Sequence, residues 1–353
     1  MSLKTLRNKI NSIDSKLVQL LNERAQASSE IGEIKVKSKT GIYSPAREKE
    51  VLKRIEQINK GPMPAEAFAA IYREIMSSSL ALERISHIAY LGTAGSFTYM
   101  AAKEQFGSLV QYVSCDSITD VFQKVDHGEC DYGVVPVENS IEGVVTHTVD
   151  LLVDFDLKIC AQRLLKVSHN LLSKTSLAGI KKIYSNPQVF GQCRNWILKN
   201  LPRSQAKEIW VASTTEAAQR AVKERYSAAL ASLEAAKIYG LKVLKRNIQD
   251  STRNTTRFLI ISSQDVPATG RDRTSIIFSI KDKVGALHAM LTPFYKNKIN
   301  LTKIESRPSK KKAWDYYFFV DFEGHRSDTN VKKALNQLEG MCKYLKVVGS
   351  YPV

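Results

Sequence analysis

Leu6, Ile10, Ile13, Leu17, Leu20, Leu21, Ile31 and Ile34 recur at three- and four-residue steps, and no proline occurs before Pro45. That period is one apolar face of an α-helix, and a helix reaching residue 37 is roughly 50 Å long. Gly41 is expected to break it. Ser44 and Pro45 then restart the chain as an N-cap followed by proline at the first helical position. Gly61-Pro62 ends this second helix, and a third is expected from about residue 64 to 84. Three helices in so short a stretch do not cover so long a first helix. An intertwined dimer is the economical solution, because a second chain buries the remaining stripe. Residues 1–86 are therefore read as an all-α, three-helix domain.

At 353 residues the chain has length for two or three domains. From residue 87 short β-branched runs alternate with helical patterns: HIAYLG, DYGVVPV, KKIYS, EIWVAS, SAALAS and RFLIIS. This predicts an α/β domain over 87–265. Five junctions carry small or hydroxyl residues that are expected to open helices: at Ser96, at Glu138-Asn139-Ser140, at Ser185-Asn186, at Ser213 and at Ser232. Ser213 and Glu216 have capping-box spacing. Positive helix ends gathered around one crevice suit a small anion. A plausible linker with Pro267 and Gly270 occupies 263–273. Over 273–353 the order is strand (274–280), helix (285–297), two strands (300–307 and 314–322), helix (329–341) and strand (345–349), a βαββαβ ferredoxin-like layout.

The formal charge of +17 raises nucleic acid as a partner. It is spread as +5 over 1–86, +4 over 87–270 and +8 over 271–353. The single run, Lys310, Lys311 and Lys312, falls at an expected hairpin turn without interleaved aromatics. A solvated surface is the expectation, with no nucleic-acid partner. No long apolar run suggests a membrane span, and the N-terminus lacks a signal-peptide pattern. Cys115, Cys130, Cys160, Cys193 and Cys342 are scattered without CxxC spacing, so neither disulfides nor a metal site is expected, and a cytoplasmic location fits.

On the first helix Arg24 and Lys35 share a face, while Arg7 lies about 100° around the axis from Arg24. Ser79 and Glu83 lie four apart on the third helix. Together LRxKIxxID, LLNER, IGxIK and PAREKE make residues 1–86 resemble the all-helical chorismate mutases. The resemblance implies chorismate as substrate and a pericyclic rearrangement that needs no nucleophile, cofactor or metal, only positioning and stabilisation of charge at the ether oxygen. It further implies that Arg7 (from the other chain), Arg24 and Arg47 handle carboxylates or order the site. Lys35 and Glu83 would face the ether oxygen, Glu48 would accept a substrate hydroxyl, and Ser79 would join them. Ser44 stands where some relatives have aspartate and receives no role.

GTAGSFTYMAA, VPVENSIEGVV, YSNPQVFGQC, STTEAA and NTTRFLII resemble, in order, the elements of prephenate dehydratases. Thr93 replaces a proline and Ser96 a threonine of that family's pattern. The resemblance implies a two-lobed, periplasmic-binding-like fold that decarboxylates and dehydrates prephenate, with Thr256 critical. Arg257 is the expected carboxylate partner, Glu138 a candidate general acid, and Asn139 and Ser140 further catalytic candidates. Ser96, Thr98, Ser185, Ser213 and Phe258 are candidate substrate contacts. His169 is read as a packed or surface histidine.

Gly285, Ala286 and Leu287, with Glu305, Ser306, Arg307 and Pro308, resemble the two motifs of ACT-type amino-acid-binding domains. They imply phenylalanine as effector, bound between subunits of a homodimer or higher homo-oligomer. As a whole the chain resembles the bifunctional chorismate mutase–prephenate dehydratases. Two other readings remain open: a dehydratase that prefers arogenate, and a non-catalytic sensor of amino acids or aromatic acids.

Overall fold

A computed structural model of the chain describes residues 1–38, 43–201, 206–280, 284–308 and 316–353. They fall into two compact units, Met1–His87 with Glu104–Gln111, and Ile88–Lys103 with Tyr112–Val353. The expected breaker Gly41, the lysines 310, 311 and 312, and the expected strand start at Trp314 lie outside the described residues.

The first unit holds α1 (Leu3–Ser38), α2 (Pro45–Ile58) and α3 (Ala65–Glu83). Ser44 caps α2 as expected, its hydroxyl accepting the Arg47 N–H at 3.3 Å, an interaction worth about 1 kcal/mol. Both α1 and α2 pack on α3. Even so, the stripe residues of α1 from Leu6 to Ile34 stay between 43% and 65% exposed. Residues 104–111 are fastened to α3: Leu109 N donates to Ser77 Oγ at 3.0 Å, and the Ser108 N–H and O–H both donate to Glu74 at 3.2 Å.

β1 (His87–Leu91), α4 (Phe97–Phe106), β2 (Gln111–Cys115), α5 (Ile118–Asp126), β3 (Tyr132–Asn139), β4 (Gly143–Val144), α6 (Thr146–Asp154) and β5 (Lys158–Lys166) make one lobe of the second unit, except that His87 and Glu104–Gln111, with the end of α4, count with the first. The second lobe follows with β6 (Asn170–Ser173), β7 (Lys182–Ser185), α7 (Pro187–Gln192), α8 (Arg194–Asn200), β8 (Lys207–Trp210), α9 (Thr214–Lys223), β9 (Ser227–Ala231), α10 (Leu233–Tyr239) and β10 (Lys242–Lys245). The chain returns through β11 (Thr255–Ser262), which inserts between β3 and β5. The sheets run β2-β1-β3-β11-β5, with β4 beside β3, and β10-β6-β9-β7-β8. Every residue of β9 is buried. Its small side chains let the alanine faces of α9 and α10 approach closely.

Four expected helix openings are present. Ser96 Oγ accepts Tyr99 N at 3.1 Å, Asn186 Oδ1 accepts Val189 N at 2.9 Å, Ser213 Oγ accepts Glu216 N at 3.0 Å, and Ser232 Oγ accepts Ala235 N at 3.0 Å. The Glu216 carboxylate accepts the Ala212 N–H at 2.9 Å, one residue beyond the N-cap that the expected box would engage. The junction at Asn139 opens no helix. Its Oδ1 accepts the N–H groups of Ile141 and Glu142 at 2.9 and 3.1 Å, a turn that leads into β4.

The C-terminal part follows the expected order with β12 (Asp272–Ser279), α11 (Ala286–Lys296), β13 (Leu301–Pro308), β14 (Tyr316–Glu323), α12 (Thr329–Glu339) and β15 (Tyr344–Pro352), in the antiparallel sheet β13-β14-β12-β15. Ile276, Phe278, Val320 and Phe322 pack against Met290, Phe294, Val331 and Leu338. On the other face β15 meets β5 so closely that a Cβ at Gly349 would run into the Ile159 backbone. This sheet and the two lobes thus share one compact unit.

Candidate active sites

In the helical unit a cavity of about 540 Å³ is lined by Arg24, Lys35, Ser44, Arg47, Glu48, Ser79 and Glu83. Every mutase candidate except Arg7 therefore converges on one space. The three-turn spacing of Arg24 and Lys35 faces both toward α3, where Ser79 and Glu83 share a face. Arg24 Nη1 donates to Ser79 Oγ at 2.6 Å, and Lys35 Nζ stands 3.4 Å from Glu83 Oε2. A side chain at position 32 would clash with Glu83, since a Cβ there would come within 2.6 Å of Glu83 Cγ; Gly32 leaves that room. Tyr43 O–H donates to Glu48 Oε2 at 2.7 Å. Arg47 pairs with Glu50 at 2.8 Å and remains largely exposed. Cations with fixed acceptors between them suit a compact, polyanionic ligand.

In the second unit antiparallel pairing sets Thr256 opposite Asn139 and Arg257 opposite Glu138. Asn139 Nδ2 donates to Thr256 Oγ1 and to Asn254 Oδ1, both at 2.8 Å. Asn254 Nδ2 donates to Gln192 Oε1 at 2.9 Å, and Gln192 Nε2 donates to Glu142 Oε1 at 3.0 Å. His169 Nε2 lies 3.0 Å from Gln192 Oε1. Burial pushes the His169 pKa down, so the neutral imidazole donates from Nε2 to that carbonyl oxygen. The Phe97 ring meets His169 edge-on, centroids 5.5 Å apart. Asn139 occupies Thr256 as a donor, which leaves the threonine's own proton to be given outward.

Successive side chains on a strand leave opposite faces. Glu138 accordingly pairs with Lys303 at 2.8 Å, on the side of the four-stranded sheet. Arg257 donates from Nη1 to Asp321 at 2.6 Å, from Nε to Gln162 at 2.8 Å and from Nη2 to Tyr351 at 2.7 Å. The expectations of Glu138 as general acid and Arg257 as substrate partner are thereby corrected: both are turned away from the Thr256 network. Ser185 is also corrected, being fully buried with Oγ donating to Leu230 O at 3.0 Å, and Phe258 is a core side chain. Ser140 staples the turn, donating to Arg253 O at 2.8 Å and accepting from Thr255 N at 3.0 Å. Ser96 and Ser213 remain at helix N-termini, and Thr98 is buried beside the first. Cys193 packs in the second-lobe core, where burial pushes its thiol up to about 12.

The chorismate mutase type II family model matches residues 6–84, the prephenate dehydratase model residues 88–266, and the ACT domain model residues 274–340. A bifunctional chorismate mutase/prephenate dehydratase of Aquifex aeolicus is 49% identical over 355 residues, 99% of this chain and 98% of that protein. The chain belongs to this bifunctional family. Its counterpart in Pseudomonas aeruginosa is 44% identical over 357 residues, covering 99% of this chain and 97% of that protein. Among solved structures, a prephenate dehydratase of Arthrobacter aurescens in complex with L-phenylalanine is 30% identical, with a TM-score of 0.71, covering 76% of this chain and 90% of that one.

The third constellation is the pair of motifs expected to hold an effector. Ser306 and Phe278 both pair with Phe318, from either side of β14, which sets the end of β13 level with the end of β12 across that strand; Gly285 caps α11, the next helix after β12. Gly285 and Leu287 are exposed there, and Ala286 is buried. Arg307 does not join them: its Nε lies 3.5 Å from Asp150 Oδ1, and alternation puts Glu305 on that same side and Pro308 with Ser306. His169 is packed, in keeping with its reading as a packed or surface histidine, and the motif residues Gln192 and Asn254, not singled out from the sequence, join the hydrogen-bond network around Thr256. Tyr43 and Gln105 were missed because no helical period links them to the mutase stripe.

Proposed function

We propose that this chain isomerises chorismate to prephenate in the helical cavity and converts prephenate to phenylpyruvate at Thr256, with phenylalanine as inhibitor at the four-stranded sheet. What carries the first step is the convergence of Arg24, Lys35, Arg47, Glu48, Ser79 and Glu83 on one cavity. The rearrangement makes and breaks bonds within one molecule, so the protein's task is to hold a compact conformer. Arg24 and Arg47 hold carboxylates, Lys35 and Glu83 face the ether oxygen, and Glu48 accepts the hydroxyl. Arg7, which does not line this cavity, completes the cavity of a second copy. The exposed α1 stripe supports a homodimer that buries it.

In the second step Thr256 donates to the departing hydroxyl while the ring carboxylate leaves as CO₂, and aromatisation drives both losses. The N-termini of α4 and α9 supply amides for the carboxylates. No described helix is long and apolar enough to cross a membrane. A cytoplasmic location fits the five free cysteines. The test is a coupled assay on the full chain, starting from chorismate with and without phenylalanine. Prephenate and then phenylpyruvate should form, and phenylalanine should slow the second step. Faster turnover of arogenate than of prephenate would move the substrate. Phenylalanine binding without any product from prephenate would replace catalysis with sensing.

A further inference from the structure

We propose that Gln105 is a positioning residue of the mutase cavity. It lies in the last turn of α4, outside the three helices that carry the other mutase candidates and within the segment matched by the dehydratase family model. This inference rests on the mutase function proposed above.

Gln105 is 6% exposed and lines the same cavity as Arg24, Lys35 and Glu48. Its Nε2 donates to the Tyr43 hydroxyl and, at 3.4 Å, to Glu48 Oε2. Tyr43 O–H donates to that same oxygen at 2.7 Å. The three polar groups form a closed triangle in which the amide has donors to give and the carboxylate only accepts. One carboxylate oxygen of Glu48, a cavity-lining residue, is thus held by Tyr43 and Gln105, which restricts how the carboxylate can turn.

The geometry around Gln105 is itself anchored. The Phe106 ring packs on Tyr43 with centroids 4.9 Å apart. Three hydrogen bonds from Ser108 and Leu109 to Glu74 and Ser77 then tie the following residues to α3. A buried amide held this firmly loses little entropy when substrate arrives. The mutase cavity of this chain is therefore not contained in residues 1–86, and a side chain beyond the third helix sets the pose of the group that accepts the substrate hydroxyl.

The test is steady-state kinetics of the full-length Gln105→Leu protein with chorismate, and with added prephenate on the same sample. A hydrogen bond that acts equally in the bound and transition states shows in KM. The KM for chorismate should rise about tenfold with kcat within about twofold, because one hydrogen bond to a charged group is worth roughly 1.5 kcal/mol. Prephenate turnover, which reports that α4 is folded, should stay at the wild-type rate. In a Glu48→Gln background Gln105→Leu should add less than twofold, since the positioned group is gone. Unchanged KM in a protein that still processes prephenate overturns the inference, as does an undiminished effect in the Glu48→Gln background. If Gln105→Leu also loses prephenate turnover, Gln105→Met, which keeps the length without the donors, is measured under the same criteria. If wild type leaves chorismate intact, the mutase function fails instead, which separates the two outcomes.

Discussion

Arg257 Nη1 and Asp321 Oδ2 stand 2.6 Å apart, joining the strand that carries Thr256 to the C-terminal sheet. The arginine side chain is 8% exposed and the aspartate wholly buried. Asp321 also accepts the Ser275 hydroxyl at 2.5 Å. Removing one partner of a buried pair leaves the other charge without compensation, at about 3–5 kcal/mol. Asp321→Ala should lower the unfolding free energy measured in urea by that amount, and Arg257→Leu in the same chain should recover part of the loss. A shift below about 1 kcal/mol in Asp321→Ala would show that the pair is not holding the two parts together.

The two chemistries should be separable. Arg24→Ala is expected to slow chorismate loss by about 100-fold or more while added prephenate is processed normally, as for removal of a transition-state charge partner. Thr256→Ala should do the reverse, and Thr256→Ser, which keeps the hydroxyl, should retain more activity than Thr256→Ala. The two rates measured on each folded variant decide this, and loss of both in either one contradicts two independent sites.

His169 carries a pH signature. Burial holds its folded pKa below the ordinary 6.5. In the window between the folded value and 6.5 the unfolded chain binds more protons, so stability is complete above 6.5 and falls as pH drops through the folded value. Thermal unfolding of the wild type should therefore weaken more steeply on acidification than that of His169→Gln. Parallel curves would show that His169 does not titrate in this way.

Glu83 poses a donor problem. An ionised carboxylate only accepts, so Glu83 can give a hydrogen bond to an ether oxygen only when protonated. Glutamine has nearly the same shape and always donates. Glu83→Gln should keep mutase activity, because the amide donates in place of the acid, whereas Glu83→Ala should lose about tenfold or more. A Glu83→Gln protein as slow with saturating chorismate as Glu83→Ala would exclude a donor at this position.

Periodicity in the sequence determined a great deal. The three- and four-residue steps of α1, the proline after Ser44 and the βαββαβ order over the last 80 or so residues follow from local rules of helix and strand geometry. Lys158–Lys166 and Lys242–Lys245 were not legible as strands, since neither shows a β-branched run and their pairing with β11 and β6 supplies the order. The convergence of the mutase candidates on one cavity was readable because a helix turns spacing directly into a shared face. At the dehydratase site adjacency in sequence misled, because Glu138 and Asn139, like Arg257 and Thr256, are neighbours that a strand sends to opposite faces. Whether either face opens on a crevice or on a packed sheet depends on which elements lie above and below it. That is long-range packing, and only the tertiary structure decided it, as it did for Gln105, His169 and Gln192, whose partners lie 23 to 62 residues away.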